Sequence, residues 1–123
     1  MVQTKNLITG GAGFLGSNLI EKLIRNKEYV ICLDNCFTGR KSNIEKFIDS
    51  DYFEFVEHDV LDPINLKVDK IWHLACPASP KNYQKDPIRT LKTSFIGTSN
   101  MLELALKQKA RILLASTSEI YGD

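Results

Sequence analysis

Short apolar runs alternate along the chain with segments in which apolar residues recur every three or four positions. Runs of four to six apolar residues are typical of buried parallel strands, and the longer period is typical of helices that pack on a sheet. The pattern predicts main helices over 13–26 and from Pro87 to about Lys107. It also predicts five strands, over 5–9, 29–34, 52–57, 70–75 and 111–115.

The sequence also predicts a short capped helix and indicates which positions of the long helix are apolar. Ser42 begins a short helix that reaches Ile48, with Glu45 completing a capping box. The long helix shows an apolar stripe at helical spacing, formed by Ile88, Leu91, Phe95, Thr98, Leu102 and Ala105. A second apolar flank of this helix consists of Met101, Leu104 and Leu106. Two interpretations of it stay open, a surface that binds a partner or a wider cover for the sheet.

A glycine-rich stretch, TGGAGFLG at 9–16, lies between the first strand and the first helix. Gly11, Gly13 and Gly16 fit the spacing G-x-G-x-x-G, and Gly10 with the last two fits the variant G-x-x-G-x-x-G. Without side chains, such a turn lets a pyrophosphate approach the amides at the helix start, where the helix dipole favours anions. The alternative is an ordinary strand-to-helix turn.

Asp34 closes the second predicted strand, about twenty residues beyond the glycines, as the dinucleotide fingerprint requires. A carboxylate there accepts hydrogen bonds from both ribose hydroxyls of an adenosine and repels a 2′-phosphate, which favours NAD over NADP. Arg40 and Lys41 follow closely and are able to neutralise a phosphate, so NADP stays open.

These features together predict an α/β fold, a Rossmann-type doubly wound parallel sheet with right-handed crossovers. The expected strand order is 3-2-1-4-5, within one domain over 1–123. Ligands of such sheets bind at the carboxyl ends of the strands, where the strand order reverses. We therefore expect a ligand at the switch point between the first and fourth strands.

The composition restricts the class of protein further. Sixteen basic and fifteen acidic residues give a net charge of +1, and no run of like charge is long enough to follow a nucleic-acid backbone. The chain leads directly into the first strand, and no apolar run reaches bilayer length. We expect a cytoplasmic protein without a nucleic-acid or membrane partner.

Cysteines and histidines show no pattern of metal ligands. Cys32, Cys36 and Cys76 form no C-x-x-C pair, and reduced thiols are the expected state. His58 lies at the end of the third predicted strand and His73 in the fourth, without paired spacing, so no metal is expected.

The run TSEIYGD at 117–123, taken together with 9–16, resembles the extended short-chain dehydrogenase/reductase superfamily, whose members modify nucleotide sugars. Three further segments, at 33–43, 58–60 and 73–80, are similar to the UDP-glucuronate decarboxylase family within it. The resemblance extends over nearly all of the chain.

The resemblance implies NAD as the cofactor and a series of contacts along it. Those at the pyrophosphate and along the adenosine are Gly10, Gly13, Phe14, Leu15, Gly16, Asp34, Asn35, Phe37, Thr38 and Gly39. Those at the adenine, at the middle of the cofactor and further along are Asp59, Val60, Leu74, Ala75, Cys76 and Thr93.

The family reaction implied by the resemblance oxidises the C4 hydroxyl of UDP-glucuronate, releases carbon dioxide and reduces the ketone to UDP-xylose. Thr117 would hydrogen-bond the C4 oxygen, while Ser118 and Glu119 would position the sugar ring or handle a proton. From the residues alone, these three form an ordinary turn at a strand end.

Two further positions, Lys92 and Asn100, match family contacts to the nucleotide sugar. Asn18 and Ser94 stand where the family has histidine and asparagine, so the implied substrate contacts rest on fewer matches than the cofactor contacts. A nucleotide-sugar 4-epimerase, a 4,6-dehydratase or a non-catalytic NAD-binding module remain alternatives. Ser118 disfavours the dehydratase, which usually has an acid there.

The superfamily's general base is a tyrosine followed four residues later by lysine. Tyr29, Tyr52 and Tyr83 lack that lysine, and Tyr121 lies too near the end of the sequence. We expect the chain to be the cofactor part of a larger enzyme and inactive alone, with a homodimer formed through the long helix. An uncovered fifth strand would also make the chain poorly soluble.

Overall fold

A computed structural model describes residues 3–77 and 79–122, so Ala78 and Asp123 of the motifs above lie outside the described residues. Five parallel strands form one sheet in the order β3-β2-β1-β4-β5, which confirms the predicted topology. The strands are β1 (Lys5–Thr9), β2 (Tyr29–Asp34), β3 (Phe53–Glu57), β4 (Lys70–His73) and β5 (Arg111–Leu114). The α-helices are α1 (Phe14–Arg25), α2 (Pro80–Tyr83), α3 (Pro87–Lys92) and α4 (Thr98–Gln108).

The core has two layers because alternate residues of the central strands point to opposite faces of the sheet. On β2, Ile31 and Leu33 pack in one apolar cluster, which contains Met101 and Leu104 of α4. Val30 and Cys32 belong to the other cluster, which contains Ile20 and Leu23 of α1. A strand covered on both faces is apolar throughout, as the sequence of β2 indicates.

The predicted short helix over 42–48 is wrong. Two 3₁₀ turns, Lys41–Asn43 and Glu45–Phe47, occupy this segment, and neither has a side-chain cap, so Ser42 and Glu45 form no capping box. Ile44 and Phe47 are both buried against the sheet. Their spacing of three residues matches the period of a 3₁₀ turn, which brings both side chains to the same face.

The long helical segment also differs from the prediction, because a π-helical turn (Thr93–Gly97) separates α3 from α4. The extra residue of a π turn rotates the following helix relative to the preceding one. Met101 and Leu104 therefore face the sheet, in agreement with the interpretation that this flank widens the cover of the sheet. Leu106, the third residue of the flank, is exposed. Much of the predicted stripe faces solvent instead, namely Ile88, Leu91, Phe95 and Leu102.

The π turn coincides with a close approach between the helical segment and the loop after β3. A Cβ atom on Gly97 would lie 2.6 Å from Cγ2 of Val60. The missing side chain thus lets the helix lie close to this loop.

Among the described helices, none combines the length and the hydropathy needed to cross a bilayer.

Candidate functional site

The glycine-rich turn forms a bare backbone cradle at the carboxyl end of β1. Gly10 has a φ of +71° and donates from N to the carbonyl of Leu33 at 2.8 Å. At Gly16, a Cβ atom would lie 2.5 Å from the Gly10 oxygen and 2.6 Å from Gly11 Cα. A side chain there would force α1 away from the turn, so the close contact between helix and strand requires glycine.

Asp34 lies beside this cradle at the end of β2 and is buried. Its Oδ2 accepts from Ala12 N at 3.0 Å, and its Oδ1 accepts from Cys36 N at 2.7 Å. Each carboxylate oxygen has a second lone pair, so the acid keeps acceptor capacity for a ligand. Two backbone amides thus orient the carboxylate before any ligand binds.

A cavity of 990 Å³ lies along the carboxyl ends of the strands and touches both the cradle and Asp34. This volume is at the upper end of the range of roughly 300–1,000 Å³ that is common for ligand sites. The cavity includes the segments that follow β1, β2, β3, β4 and β5. Its position matches the predicted switch point between β1 and β4.

Most of the site residues predicted from the sequence line this one cavity. They are Gly10, Gly13, Phe14, Leu15, Gly16, Asp34, Asn35, Phe37, Thr38, Gly39, Val60, Leu74, Ala75, Cys76, Thr93 and Thr117. Sequence reasoning missed a further group, contributed mainly by α2, α3 and their connections, which includes Asn82, Tyr83, Asp86, Arg89 and Thr90.

Five predicted residues do not line the cavity, namely Asp59, Lys92, Asn100, Ser118 and Glu119. The Asn100 amide nitrogen donates to the carbonyls of Val60 and Leu61 at 2.8 and 3.1 Å, so this side chain fixes the loop after β3. Lys92 is exposed. Ser118 and Glu119 belong to an exposed 3₁₀ turn.

The hydroxyl of Thr117 accepts a hydrogen bond from Glu119 N at 3.3 Å. This bond caps the 3₁₀ turn Ser118–Tyr121, as the simpler interpretation of these residues predicts. Thr117 nevertheless lines the cavity, beside the carboxyl end of β5. The hydroxyl therefore has a structural role in the turn, and the residue that carries it lies at the edge of the site.

A hydrogen-bond network joins β1, β4 and α4 at the wall of the cavity, which both His73 and Thr98 line. Thr9 Oγ1 accepts from the backbone nitrogens of Leu74 and Ala75, at 3.1 and 3.2 Å, so its proton is directed to His73 Nδ1 at 2.7 Å. The proton of the imidazole then lies on Nε2, which donates to Thr98 Oγ1 at 3.1 Å. Burial lowers the pKa of His73 to about 4 and keeps the ring neutral.

An ion pair lies at the wall of the cavity, between α3 and the loop after β3. Arg89 of α3 donates from Nη2 to Asp59 Oδ2, and the Arg89 Cζ atom lies 5.8 Å from the centre of the Phe37 ring. The same Asp59 oxygen accepts from Asn35 Nδ2 at 3.1 Å. Asp86 caps the start of α3, a position that its place before Pro87 indicates, but no sequence pattern links Arg89 to Asp59.

Two of the cysteines, Cys32 in β2 and Cys36 after it, are not thiolates. Burial raises the pKa of Cys32 to about 12, and burial also raises the pKa of Cys36, so both thiols are protonated at neutral pH. Within 3–77 and 79–122, no three His, Cys, Asp or Glu side chains are grouped to hold a metal ion.

This fold and site define an α/β protein with the Rossmann-type architecture of the short-chain dehydrogenase/reductases. The family model described as GDP-mannose 4,6 dehydratase matches residues 7–123, and the chain belongs to that family. The resemblance to the extended superfamily, identified from the sequence, is thereby confirmed.

Within the family, the chain is similar to UDP-glucuronic acid decarboxylases. It is 58% identical to UDP-glucuronic acid decarboxylase 1 of Danio rerio over 117 residues, which cover 95% of this chain and 28% of the relative. It is 57% identical to UDP-glucuronic acid decarboxylase 6 of Arabidopsis thaliana over 118 residues, which cover 95% of this chain and 34% of that relative. The chain thus spans about a third or less of these relatives.

A solved structure of similar fold is a dTDP-glucose 4,6-dehydratase from Streptomyces venezuelae with NAD bound. The TM-score is 0.86 and the sequence identity is 26%, over 98% of this chain and 41% of that one. The similarity confirms the Rossmann-type architecture.

Proposed function

We propose that this chain binds NAD along the carboxyl ends of its strands. The observation that carries the proposal is the pairing of a side-chain-free cradle with a buried acid, Asp34, that two backbone amides hold at the edge of the same cavity. The cradle suits a pyrophosphate, and the acid suits the two hydroxyls of an unphosphorylated ribose. When bound, NAD supplies a hydride acceptor.

The rest of the cavity follows the proposed cofactor in order. Phe14 and Leu15 flank the pyrophosphate, and the adenosine end lies among Asn35, Phe37, Thr38, Gly39 and Val60, with Asp59 behind them. Leu74, Ala75, Cys76 and Thr93 accompany the middle of the cofactor and the part beyond it. This assignment is supported by the lining of the cavity, which contains all of these residues except Asp59.

Selection of NAD over NADP is part of the proposal. Lys41, one of the two cations that left NADP open, pairs with Glu57 Oε2 at 3.2 Å. Replacement of Asp34 by Asn removes the negative charge that repels a 2′-phosphate. We expect Asp34→Asn to narrow the NAD-to-NADP affinity ratio at least fivefold, while the exposed control Asp51→Asn leaves the ratio unchanged. An unchanged ratio in Asp34→Asn would contradict this role of the acid.

We infer that the complete protein is a UDP-glucuronate decarboxylase. In this reaction the C4 carbon would give up a hydride to the bound cofactor and the C4 hydroxyl its proton, leaving a ketone. Loss of the C6 carboxylate as carbon dioxide would leave the electron pair of the C5–C6 bond on C5, which takes a proton, and return of the hydride to C4 with a proton to the C4 oxygen would give UDP-xylose. Similarity to the decarboxylases of Danio rerio and Arabidopsis thaliana supports this inference.

The proposed roles in this reaction fall on the segment after β5 and on the long helical segment. Thr117 holds the C4 oxygen, and Ser118 and Glu119 position the sugar ring or transfer a proton. Lys92 and Asn100 contact the nucleotide sugar. Of these residues, Thr117 has the most direct support, since it is the one that lines the cavity.

We expect the 123-residue chain alone to bind NAD without turnover, because none of its tyrosines is followed four residues later by lysine. Incubation with NAD and UDP-glucuronate tests this expectation, with release of carbon dioxide and formation of UDP-xylose as the readouts. Substantial turnover by the purified chain would contradict it.

A nucleotide-sugar 4-epimerase or 4,6-dehydratase is the second candidate, supported by the description of the family model and by the dehydratase of similar fold. The products formed by the complete protein from UDP-glucuronate and from UDP-glucose separate the candidates. Loss of carbon dioxide from UDP-glucuronate identifies a decarboxylase, inversion at C4 identifies an epimerase, and loss of water from UDP-glucose identifies a dehydratase. NAD binding without turnover of either nucleotide sugar identifies a non-catalytic module.

We further propose that the complete protein is a cytoplasmic homodimer. Exposed apolar side chains on the long helical segment, among them Phe95, Leu102 and Leu106, support association through this face. Free Cys32, Cys36 and Cys76 agree with a reducing compartment. Light scattering of the complete protein tests the dimer, and a monomer at micromolar concentration would contradict it.

A further inference from the structure

We propose that Arg89 is a direct contact of the adenine end of the cofactor and that Asp59 acts through it. The inference rests on the proposed binding of NAD and adds a residue that neither the glycine motif nor the acid after β2 indicates. Three separate segments converge on the Arg89 guanidinium group, which they hold at the wall of the cavity.

The backbone of α3 places Arg89 in the first turn of the helix. Asp86 Oδ1 accepts from Arg89 N at 3.0 Å and fixes this turn. From there the Arg89 side chain reaches Asp59, after β3, and the ring of Phe37, after β2. The guanidinium therefore bridges the loops that follow the two strands on the adenosine side of the site.

The remaining hydrogen bonds of Asp59 explain why its carboxylate acts as an anchor. Its Oδ1 accepts from Leu61 N at 3.0 Å, and its Oδ2 accepts from Asn35 Nδ2 at 3.1 Å as well as from Arg89. Asp59 does not line the cavity, whereas Arg89, Asn35 and Phe37 do. Asp59 is thus a positioning residue, and the guanidinium is the group that it presents to a ligand.

The chemistry of this wall suits a purine attached to a pyrophosphate. The guanidinium is planar and stacks on aromatic faces, and the adjacent Phe37 supplies a second flat surface. Among the described residues that line the cavity, Arg89 is the one lysine or arginine. It also neutralises Asp59, which would otherwise repel the phosphates together with Asp34.

The test measures the binding of NAD and of AMP to the 123-residue chain by calorimetry. We expect Arg89→Met to weaken the binding of NAD and of AMP by the same factor, about tenfold, because both ligands contain the adenosine. Arg89→Lys keeps the charge and loses the planar fork, and should recover only part of the affinity. Arg25→Met removes an arginine whose ion pair, to Glu21 within α1, lies outside the cavity lining, and serves as the control with less than about a twofold effect.

A double-mutant cycle tests whether Asp59 acts through Arg89. Asp59→Asn should weaken the binding of NAD in the wild-type background and have little further effect on this binding in the Arg89→Met background. Circular dichroism melting of each variant shows that the affinities refer to folded protein. Because Arg89 is partly exposed, we expect the melting temperatures to remain close to that of the wild type.

The outcomes separate this inference from the proposal on which it rests. Absence of NAD binding by the folded wild-type chain would overturn both. Wild-type binding of NAD that is unchanged in Arg89→Met would overturn the role of Arg89 alone. A loss of affinity for NAD without a loss of affinity for AMP would place Arg89 at the other half of the cofactor and would also overturn the inference.

Discussion

At Gly16 of the phosphate cradle, an added Cβ would meet backbone atoms of Gly10 and Gly11 at 2.5 and 2.6 Å. Backbone cannot move aside as a flexible side chain can. We expect Gly16→Ala to lower the free energy of unfolding by about 2–3 kcal/mol and to weaken NAD binding. Ser17→Ala, at the next position of α1, is the control and should stay within about 0.5 kcal/mol of the wild type in urea unfolding.

His73 should make the stability of the chain depend on pH. Its pKa is lowered to about 4 in the fold, from 6.5, because burial disfavours the charged ring. The unfolded state therefore binds the proton more readily, so the stabilisation is complete above pH 6.5 and is lost as the pH falls towards 4.

We expect urea unfolding to show a loss of about 2 kcal/mol between pH 6.5 and 4.5 that is attributable to this residue. His73→Gln removes the titrating group, so the profile of the variant should be flatter over the same interval. Parallel profiles for the two proteins would show that His73 is not the source.

At the scale of elements, the π turn decides which residues of the long helical segment face the sheet. Met101 is fully buried and packs in the core, whereas the neighbouring Leu102 is 52% exposed. We expect Met101→Ala to cost about 2–4 kcal/mol of unfolding free energy and Leu102→Ala less than about 1 kcal/mol. Equal costs, measured by chemical denaturation, would contradict the helix orientation described above.

The strands and their order follow from the sequence because each strand is an apolar run, and the alternation with helices restricts the connections. The π turn does not follow from it. That turn coincides with contacts between distant segments, the approach of Gly97 to Val60 and the bond from His73 to Thr98. Periodicity within one helix contains no information about such contacts.

The candidate site shows the same division. The cradle and Asp34 were predictable because their function depends on short spacings along the chain. The place of Arg89 in the site was not predictable, because it depends on contacts with Asp59 and Phe37, which lie 30 and 52 positions earlier in the sequence. The 3₁₀ turns over 41–47 were missed for a related reason, since burial of Ile44 and Phe47 against the sheet outweighs local capping preferences.

At the scale of the whole molecule, the sheet brings the ends of β1 and β2 together so that cradle and acid face one cavity. We propose that this arrangement selects NAD. Calorimetric titration of the wild-type 123-residue chain with NAD and with NADP tests the claim most directly. We expect saturable binding of one NAD per chain, with NADP at least tenfold weaker because its 2′-phosphate meets Asp34. Failure of the folded chain to bind NAD, or equal affinity for the two dinucleotides, would contradict the claim.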